Sequence, residues 1–254
     1  MCYDIAYLTK KKTDYAKRYG SEEDVADLMK RLPATFHSNA FQHDEVPVVV
    51  GESRKLTTFE WGLIPYWAKS KKDALEIRNK TLNARGETLF EKPSFKKAIA
   101  TNRCLVVVDG FFESHHVNGK NYPFFISRKD EMPFTLGGVF DHWEDQEEGI
   151  VRTTFSIITT EANARLAVIH NNPEVLKRGG PRMPLILPYD LENKWLDSHL
   201  HKEDIESMIK PFPDNQLVDF TVAPLRGKNS PGNVKEAVRP YIYPELNTTQ
   251  QSLF

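Results

Sequence analysis

The chain has 254 residues, 40% of them hydrophobic and 11% aromatic, which is enough for one large packed domain or two small ones. A formal net charge of −1 excludes attraction of an anionic partner by a global positive field, so such binding needs a local basic patch. Two cysteines exclude a disulfide framework, no run approaches the roughly 18 apolar residues of a membrane span, and the opening residues have no signal-peptide pattern. We therefore expect a cytoplasmic protein without structural zinc.

The first predicted element is a helix over residues 21–32, with Ser21 as N-cap and Asp24 in a capping-box position. Strand patterns follow at 46–50, 56–64, 104–112, 122–127, 134–140 and 153–159. Helical patterns lie at 93–100, 161–169, 191–196 and 203–209. Asn118-Gly119 predicts a hairpin between two of the strands. This order favours an α+β fold with mainly antiparallel sheet, in one domain over residues 1–243 followed by a polar tail over 244–254.

Cys2 directly follows Met1, so removal of one residue would leave a 1,2-aminothiol, a cysteine with a free α-amine beside its thiol. The ordinary pKa of an α-amine is about 7.7–8.0 and that of a thiol about 8.5, so neutral amine and some thiolate coexist at physiological pH. Such an amine adds to an aldehyde to give an imine, and the thiolate then closes a thiazolidine ring. Alternatively, the thiolate attacks acyl groups. A second-position cysteine is more often a small buried apolar residue, so its neighbours decide.

Residues 71–103 contain nine Lys or Arg against four Asp or Glu, a net charge of +5. Just before them, Trp61, Tyr66 and Trp67 surround a Gly/Pro turn. Core packing accounts well for one of the tryptophans, and a charge run is usually a solvated face. Several aromatic residues beside a basic segment also make a stacking platform for unpaired bases, each worth about 1–3 kcal/mol.

Two further segments carry polar side chains suited to catalysis or phosphate binding. Within the basic stretch, Arg85 offers a planar fork for phosphate, or a surface ion pair with Glu87, and Asn83 can orient an amine or a carbonyl. Glu113 ends an apolar strand behind two phenylalanines, where partial desolvation suits a general acid or base. Exposure of Glu113 on the other face of the strand is the alternative.

One histidine, His170, follows the apolar run 167–169. A lone histidine in that position is more often a core or capping residue than a catalyst. On composition alone, three others compete with it: His115, His116 and His142. The residues themselves therefore point to a Cys/Glu/His site near a basic, aromatic surface, with the histidine left open.

The ordered motifs of the chain resemble the SOS response-associated peptidase (SRAP) domain family, whose members shield abasic sites in single-stranded DNA. The resemblance runs from residue 1 to about residue 243 and rests on Met1-Cys2, Trp61-Gly62 with Pro65 and Trp67, Asn83-Ala84-Arg85 with Glu87-Thr88, Cys104 with Asp109-Gly110-Phe111-Phe112-Glu113, Thr159 with Ile169-His170, Pro184-Leu185 with Leu187, and Gly232-Asn233-Val234-Lys235. Each motif is short, but their order makes the combination specific. The family implies a single domain with a barrel-like, mainly antiparallel core and peripheral helices.

The resemblance also implies a mechanism. Met1 is removed by self-processing, and Cys2 captures the ring-opened aldehyde of an abasic deoxyribose as a thiazolidine DNA–protein crosslink, with an associated AP-lyase-type activity. In that picture Asn83 positions the Cys2 amine, Glu113 is the acid/base, and His170 assists sugar ring opening and the imine step. No metal or organic cofactor is needed, because the aldehyde supplies the electrophile.

The implied partner is single-stranded DNA that contains abasic sites, including sites at junctions with duplex, in the DNA repair of the SOS response. The residues implied to contact DNA are Trp61, Trp67, Arg85, Arg182 and Asn233. Arg85 would bind phosphate, and Trp67 would lie against the base stack. We expect a monomer that associates with the nucleoid on damaged DNA and with no membrane.

Three positions depart from the family pattern. Family members commonly carry Gly-Arg after the cysteine, and that arginine helps to hold phosphate, whereas this chain has Tyr3-Asp4. An acid there would repel phosphate and favour the protonated form of a neighbouring amine. Serine replaces the usual tryptophan after Glu113, and the interval at residues 171–181 is longer than usual. These differences predict altered substrate preference more than altered core chemistry.

Two other functions fit part of the pattern. An N-terminal-nucleophile amidohydrolase also begins Met-Cys, but it needs an oxyanion hole and an αββα sandwich, and the chain resembles none of its glutamine-binding segments. A non-catalytic single-stranded nucleic-acid-binding module would use the basic and aromatic surface alone. Cys2→Ala would inactivate either enzyme and leave a binding module unchanged, and a glutamine hydrolysis assay separates the two enzymes.

Overall fold

The computed structural model describes residues 2–246, which form two β-sheets with helices around them. The strands are β1 (Asp4–Tyr7), β2 (Thr35–Asn39), β3 (Glu45–Val50), β4 (Lys55–Trp61), β5 (Asn83–Arg85), β6 (Arg103–Val108), β7 (Gly110–Val117), β8 (Lys120–Arg128), β9 (Phe134–Asp145), β10 (Ile150–Glu161), β11 (Arg182–Pro184), β12 (Ile186–Leu187) and β13 (Leu217–Thr221). The α-helices are α1 (Lys12–Tyr19), α2 (Glu22–Arg31), α3 (Lys71–Arg78), α4 (Ala98–Thr101), α5 (Ala164–Ile169), α6 (Pro173–Lys177), α7 (Glu192–Leu196) and α8 (Lys202–Met208).

The larger sheet closes into a five-stranded barrel. Its ring runs β10–β4–β3–β6–β9 and returns to β10. The β10–β4 pair is parallel, and the other four pairs are antiparallel. All six residues of β6 are buried, so the core covers both faces of that strand. Closure removes the exposed strand edges that an open sheet of this size would present.

The smaller sheet has the order β13-β8-β7-β1-β2, and every pair in it is antiparallel. Its strand β7 begins at Gly110, where the strand predicted over residues 104–112 is interrupted. Asp109, 2% exposed, accepts hydrogen bonds from the Thr9 backbone N–H and hydroxyl and from the Tyr15 hydroxyl. Gly110 then passes so close to Phe125 that a Cβ there would lie 2.2 Å from its ring. The single strand predicted for this region was therefore wrong: β6 serves the barrel and β7 the smaller sheet.

The α+β fold with a mainly antiparallel, barrel-like core is confirmed. Helix α2 has Ser21 as its N-cap and a complete capping box, as predicted. At the hairpin, Asn118 and Gly119 have φ of 50° and 78°, the left-handed values that a type I′ turn requires. The helix predicted over 93–100 is reduced to α4, which is preceded by turns.

The predicted C-terminal tail begins with structure. Residues Pro244–Leu246 form a 3₁₀ turn, and Leu246 is 2% exposed, whereas residues 247–254 lie outside the described part of the chain. The boundary at residue 243 stays a prediction. Within residues 2–246, none of the helices is long and apolar enough to cross a membrane.

Candidate active site and nucleic-acid groove

The strand register of the smaller sheet brings the N-terminus to Glu113. β1 lies between β2 and β7, and its antiparallel pairing with β7 sets Asp4 opposite Phe112. Continuing that register by one residue sets Tyr3 opposite Glu113. Cys2, one residue further, is 1% exposed, and its Sγ lies 4.0 Å from the Asp4 carbonyl oxygen.

Strand β5 brings Asn83 to the same point from the barrel. β5 pairs in parallel with β10, and side chains alternate along it, so Asn83 and Arg85 share one face while Ala84 enters the core. The Asn83 amide Nδ2 donates to the Cys2 carbonyl oxygen at 2.8 Å. Its Oδ1 is buried and accepts no hydrogen bond within residues 2–246. A buried acceptor without a partner is costly, so the site would be stabilised by a donor beside Cys2.

His170 caps the C-terminus of α5 and contacts Glu113. Its Nδ1 lies 2.9 Å from the Arg182 carbonyl oxygen and 3.4 Å from Glu113 Oε2, with the Arg182 backbone N–H 3.2 Å away. The Arg182 backbone N–H donates to Nδ1, whereas the neighbouring carbonyl and carboxylate oxygens are acceptors, so the contacts of Nδ1 suit either tautomer of the neutral ring. Burial lowers the pKa of His170, against the opposing effect of Glu113, so the imidazole is neutral at neutral pH.

The Cys2 thiol is held in its protonated form. Burial raises the pKa of Cys2 strongly, and the negative charge of Glu113 raises it further. Any reaction of this thiol as a nucleophile therefore needs a base, and Glu113 and His170 are the neighbouring groups that can accept its proton.

Three cavities that share lining residues extend from this point. The first, of about 340 Å³, is lined by Tyr3, Glu113, His170 and Arg85 among others. Arg85 also lines the second, of about 320 Å³, together with Asn83, Lys80 and Lys92. Lys80 in turn lines the third, of about 280 Å³, with Trp67, Lys69 and two carboxylates, Asp73 and Glu76. We call the first the Glu113 cavity and the three together the basic groove.

The two tryptophans predicted to contact DNA have different surroundings. Trp67 is 40% exposed in the basic groove, and its indole N–H donates to the Pro93 carbonyl oxygen at 3.3 Å. Trp61 is fully buried, donates to the Leu82 carbonyl oxygen at 2.8 Å and stacks on Phe155. Trp67 therefore offers an accessible stacking face, whereas the structure gives Trp61 a packing role and its DNA contact stays a prediction.

Arg85 is exposed in the groove, and its Nη2 donates to the Arg178 carbonyl oxygen at 2.7 Å. Arg182 is 4% exposed, and its fork is occupied by Glu87 at 2.8 and 3.0 Å. This pairing outweighs the effect of burial and lowers the pKa of Glu87. Asn233 accepts hydrogen bonds from two backbone N–H groups of β2, which fixes its loop beside that strand. Within residues 2–246, Arg182 and Asn233 thus have structural contacts, and DNA binding by either stays a prediction.

The acid at position 4 does not stand as an unpaired charge. Asp4 is 7% exposed and contacts His37 Nε2 and Asn39 Nδ2 at 2.8 Å and Arg226 Nη2 at 2.9 Å. Burial acts to raise the pKa of Asp4, but these hydrogen bonds and the positive charge of Arg226 outweigh it, so the pKa is lowered. The repulsion of phosphate expected from the sequence is therefore largely compensated locally.

Of the competing histidines, only His170 lines the Glu113 cavity. The others have local partners: His115 a carbonyl of α5, His116 the Asn121 amide, and His142 the Thr153 hydroxyl. In the described part of the chain, no group of three His, Cys, Asp or Glu side chains is placed to hold a metal ion.

Two groove residues escaped the sequence interpretation. Tyr3 and Arg178 both line the Glu113 cavity. Tyr3 was considered only as a departure from a pattern, although its place next to Cys2 was itself a signal. Arg178 lies in the unusually long interval 171–181, whose position directly after His170 could have pointed to it.

Comparison with known proteins identifies the family of the chain. The model of the SOS response associated peptidase (SRAP) family matches residues 1–228. The chain is 34% identical to the abasic site processing protein YoaM of Bacillus subtilis over 72% of this chain and 74% of YoaM. It is 29% identical to the abasic site processing protein HMCES of Pongo abelii over 74% of this chain and 57% of that protein.

Solved structures show the same fold. A Bacteroides thetaiotaomicron protein superposes with a TM-score of 0.84 at 37% identity, covering 95% of this chain and 100% of that one. A Bordetella bronchiseptica protein has a TM-score of 0.71 at 23% identity over 87% of this chain and 99% of its own, which speaks for the fold alone. With the family match spanning most of its length, the chain belongs to the SRAP family.

Proposed function

We propose that this protein processes abasic sites in single-stranded DNA, including sites at junctions with duplex, by forming a covalent thiazolidine crosslink through Cys2 after Met1 is removed. The observation that carries the proposal is the meeting of Cys2, Asn83, Glu113 and His170 at one end of a basic groove. Relatives named abasic site processing proteins support the substrate.

The proposed chemistry starts with the amine, because the thiol is protonated. The Cys2 amine adds to C1 of the ring-opened sugar, and loss of one water gives an imine. The thiol then adds its sulfur to the imine carbon, while its proton leaves to a base and the nitrogen gains one. Glu113 exchanges these protons, and neutral His170 assists opening of the sugar. The balance is aldehyde plus aminothiol giving thiazolidine plus one water.

Asn83 fits the task of holding the amine. Its Nδ2 already binds the Cys2 carbonyl oxygen, and its Oδ1 has no partner within residues 2–246. A new α-amine on Cys2 would supply a donor at that place. The amide would then hold the neutral amine in the orientation from which it attacks the aldehyde. This would speed the reaction, because the reacting groups start aligned.

We further propose that Met1 is removed by hydrolysis at the same site, with water adding to the Met1 carbonyl and the Cys2 amine leaving with a proton from Glu113. The same imine can also lose its C2′ proton to a base, after which the C3′–O bond breaks and the 3′ phosphate leaves by β-elimination; this would give the AP-lyase-type activity. Both steps use the proton-transfer groups already named. Single-stranded DNA would lie along the basic groove, with phosphates at Arg85 and a base on Trp67.

The test is intact-protein mass spectrometry after incubation with a single-stranded oligonucleotide carrying one abasic site. The expected product is the chain without Met1 plus the oligonucleotide minus one water. A matched oligonucleotide with a tetrahydrofuran abasic analogue, which has no aldehyde, should bind without forming an adduct. A Met1-free chain that stays unmodified would favour amidohydrolase chemistry, and binding without either change would favour a binding module; each would overturn the proposal.

A further inference from the structure

The interval at residues 171–181, which we call the 171–181 loop, leaves and rejoins the fold at one point of the site. His170 Nδ1 and the Arg182 carbonyl oxygen, on either side of it, are 2.9 Å apart. Asn172 caps the short helix α6, and two glycines with φ of 100° and 88°, Gly179 and Gly180, turn the chain back. The loop is therefore an excursion built onto the candidate active site.

The loop is fastened to both sides of the Glu113 cavity. At its base, the Asn171 side chain exchanges two hydrogen bonds with the backbone of His116 on β7, at 2.6 and 3.1 Å. At its tip, the Arg178 carbonyl oxygen accepts from Arg85 Nη2 at 2.7 Å. A Cβ at Gly179 would lie 3.2 Å from Arg85 Nη1, so the tip fits closely around that guanidinium. The loop forms one wall of the cavity and holds Arg85 in place.

The side chain of Arg178 lines this cavity, which two carboxylates, Glu113 and Glu174, line as well. Its guanidinium makes no ion pair within residues 2–246, although it lines the cavity with Tyr3 and Arg85. Tyr3 lines the same cavity, and the positive charge of Arg178 acts against the rise in the pKa of Tyr3 that burial and Glu113 cause. The neighbouring Lys177, by contrast, is paired with Glu174 at 2.7 Å.

We propose that Arg178 and Arg85 form a two-arginine site for one phosphodiester group next to the abasic sugar. The proposal rests on the function proposed above. Two planar forks can engage both non-bridging oxygens of a phosphate, a geometry that lysine does not offer. Arg85 is supplied by β5 and Arg178 by the 171–181 loop, and both line the Glu113 cavity.

The test compares Arg178→Ala with Lys177→Ala, which removes the same charge from the same loop. Binding to a single-stranded oligonucleotide with the tetrahydrofuran analogue is measured by fluorescence anisotropy over a range of salt. We expect R178A to weaken binding about tenfold and to lower by about one the slope of log affinity against log salt concentration. K177A should change neither the affinity nor this salt slope by much. Arg178→Lys should keep the salt slope but lose most of the affinity gained from the fork.

Replacing single phosphates by uncharged methylphosphonates locates the contact. At the contacted linkage, on one side of the lesion, R178A and the unchanged protein should bind with equal affinity, while the R178A defect persists at the other linkage. Equal effects of R178A and K177A, or an R178A defect that no neutral linkage near the lesion removes, would overturn the proposal. Because the analogue cannot react, this outcome is separate from failure of the crosslink itself.

Discussion

The two ends of the basic groove are built on opposite principles. At the Glu113 end, the reacting groups are buried or half-buried, come from distant parts of the chain, and are held by polar contacts. At the Trp67 end, the cations and the indole are exposed and come from one local stretch of sequence. Buried groups with shifted proton affinities suit chemistry, and exposed cations suit a mobile polyanion. The rate of crosslinking and the affinity for DNA should therefore be separable by substitution.

The largest effect should come from the thiol itself. Cys2→Ala is expected to abolish the adduct, because no sulfur remains to close the ring, while non-covalent binding to the tetrahydrofuran oligonucleotide stays within about twofold. Cys104→Ala is the matched control, since Cys104 is equally buried but lies in β6 within the barrel. A normal yield of adduct from C2A, or loss of the adduct in C104A, would show that Cys2 is not the reacting cysteine.

Glu113→Gln should slow crosslinking at saturating DNA by on the order of a hundredfold, because an amide of the same shape cannot exchange the proton. Affinity for the unreactive oligonucleotide should stay unchanged or rise slightly, since a negative charge near the DNA is removed. Single-turnover crosslinking rates and anisotropy measure the two quantities. The measured removal of Met1 should slow in parallel, and an unchanged rate for both reactions would show that Glu113 is not the acid/base.

Substitution of the two tryptophans should separate DNA binding from core packing. Trp67→Ala should weaken single-strand binding by about 1–3 kcal/mol, or about 5- to 150-fold, and leave the free energy of unfolding nearly unchanged. Trp61→Ala should lower the free energy of unfolding by about 3–5 kcal/mol, because it empties a fully buried site and orphans the Leu82 carbonyl. Urea unfolding and anisotropy separate the two, and a reversed pattern would mean that their roles are exchanged.

Local signals predicted the parts of the fold that local contacts hold. The capping box of α2 and the turn at Asn118-Gly119 depend on residues within three positions of each other, and both were predicted correctly. The break at Asp109 could not be predicted, because its partners Thr9 and Tyr15 lie about a hundred residues away in sequence. Helix α3 was missed since its charged residues carry only a weak apolar stripe.

The same limit applies to the site. Family resemblance named Cys2, Glu113 and His170, and the structure brings them together. Which arginine is accessible could not be predicted: Arg182 is occupied by Glu87, 95 positions earlier, whereas Arg178, four positions earlier, has no ion pair among the described residues. Pairing partners of charged residues are set by the fold, so a motif match alone does not distinguish a ligand-binding arginine from a structural one.

Asp4, which belongs to the buried region, should also have little effect on DNA binding. Asp4→Asn should change affinity by less than about twofold, because Arg226 and the polar groups of β2 already compensate its charge. It should instead lower the free energy of unfolding at pH 7 by about 1–3 kcal/mol, since an amide cannot accept all of these hydrogen bonds.

The pH dependence of that loss identifies its cause. The pKa of folded Asp4 is below its ordinary value of 3.8, so its charged form stabilises the fold above that pH. This stabilisation is lost as the pH falls through the lowered pKa, because the folded carboxylate is then protonated as well. Urea unfolding at pH 7, 5 and 3 should therefore show the difference between D4N and the unchanged protein shrinking only at the lowest pH. A difference that is constant across all three pH values would assign the loss to packing instead of charge. Arg226→Ala, which removes an exposed partner of Asp4, should lower the free energy of unfolding by less than about 1 kcal/mol.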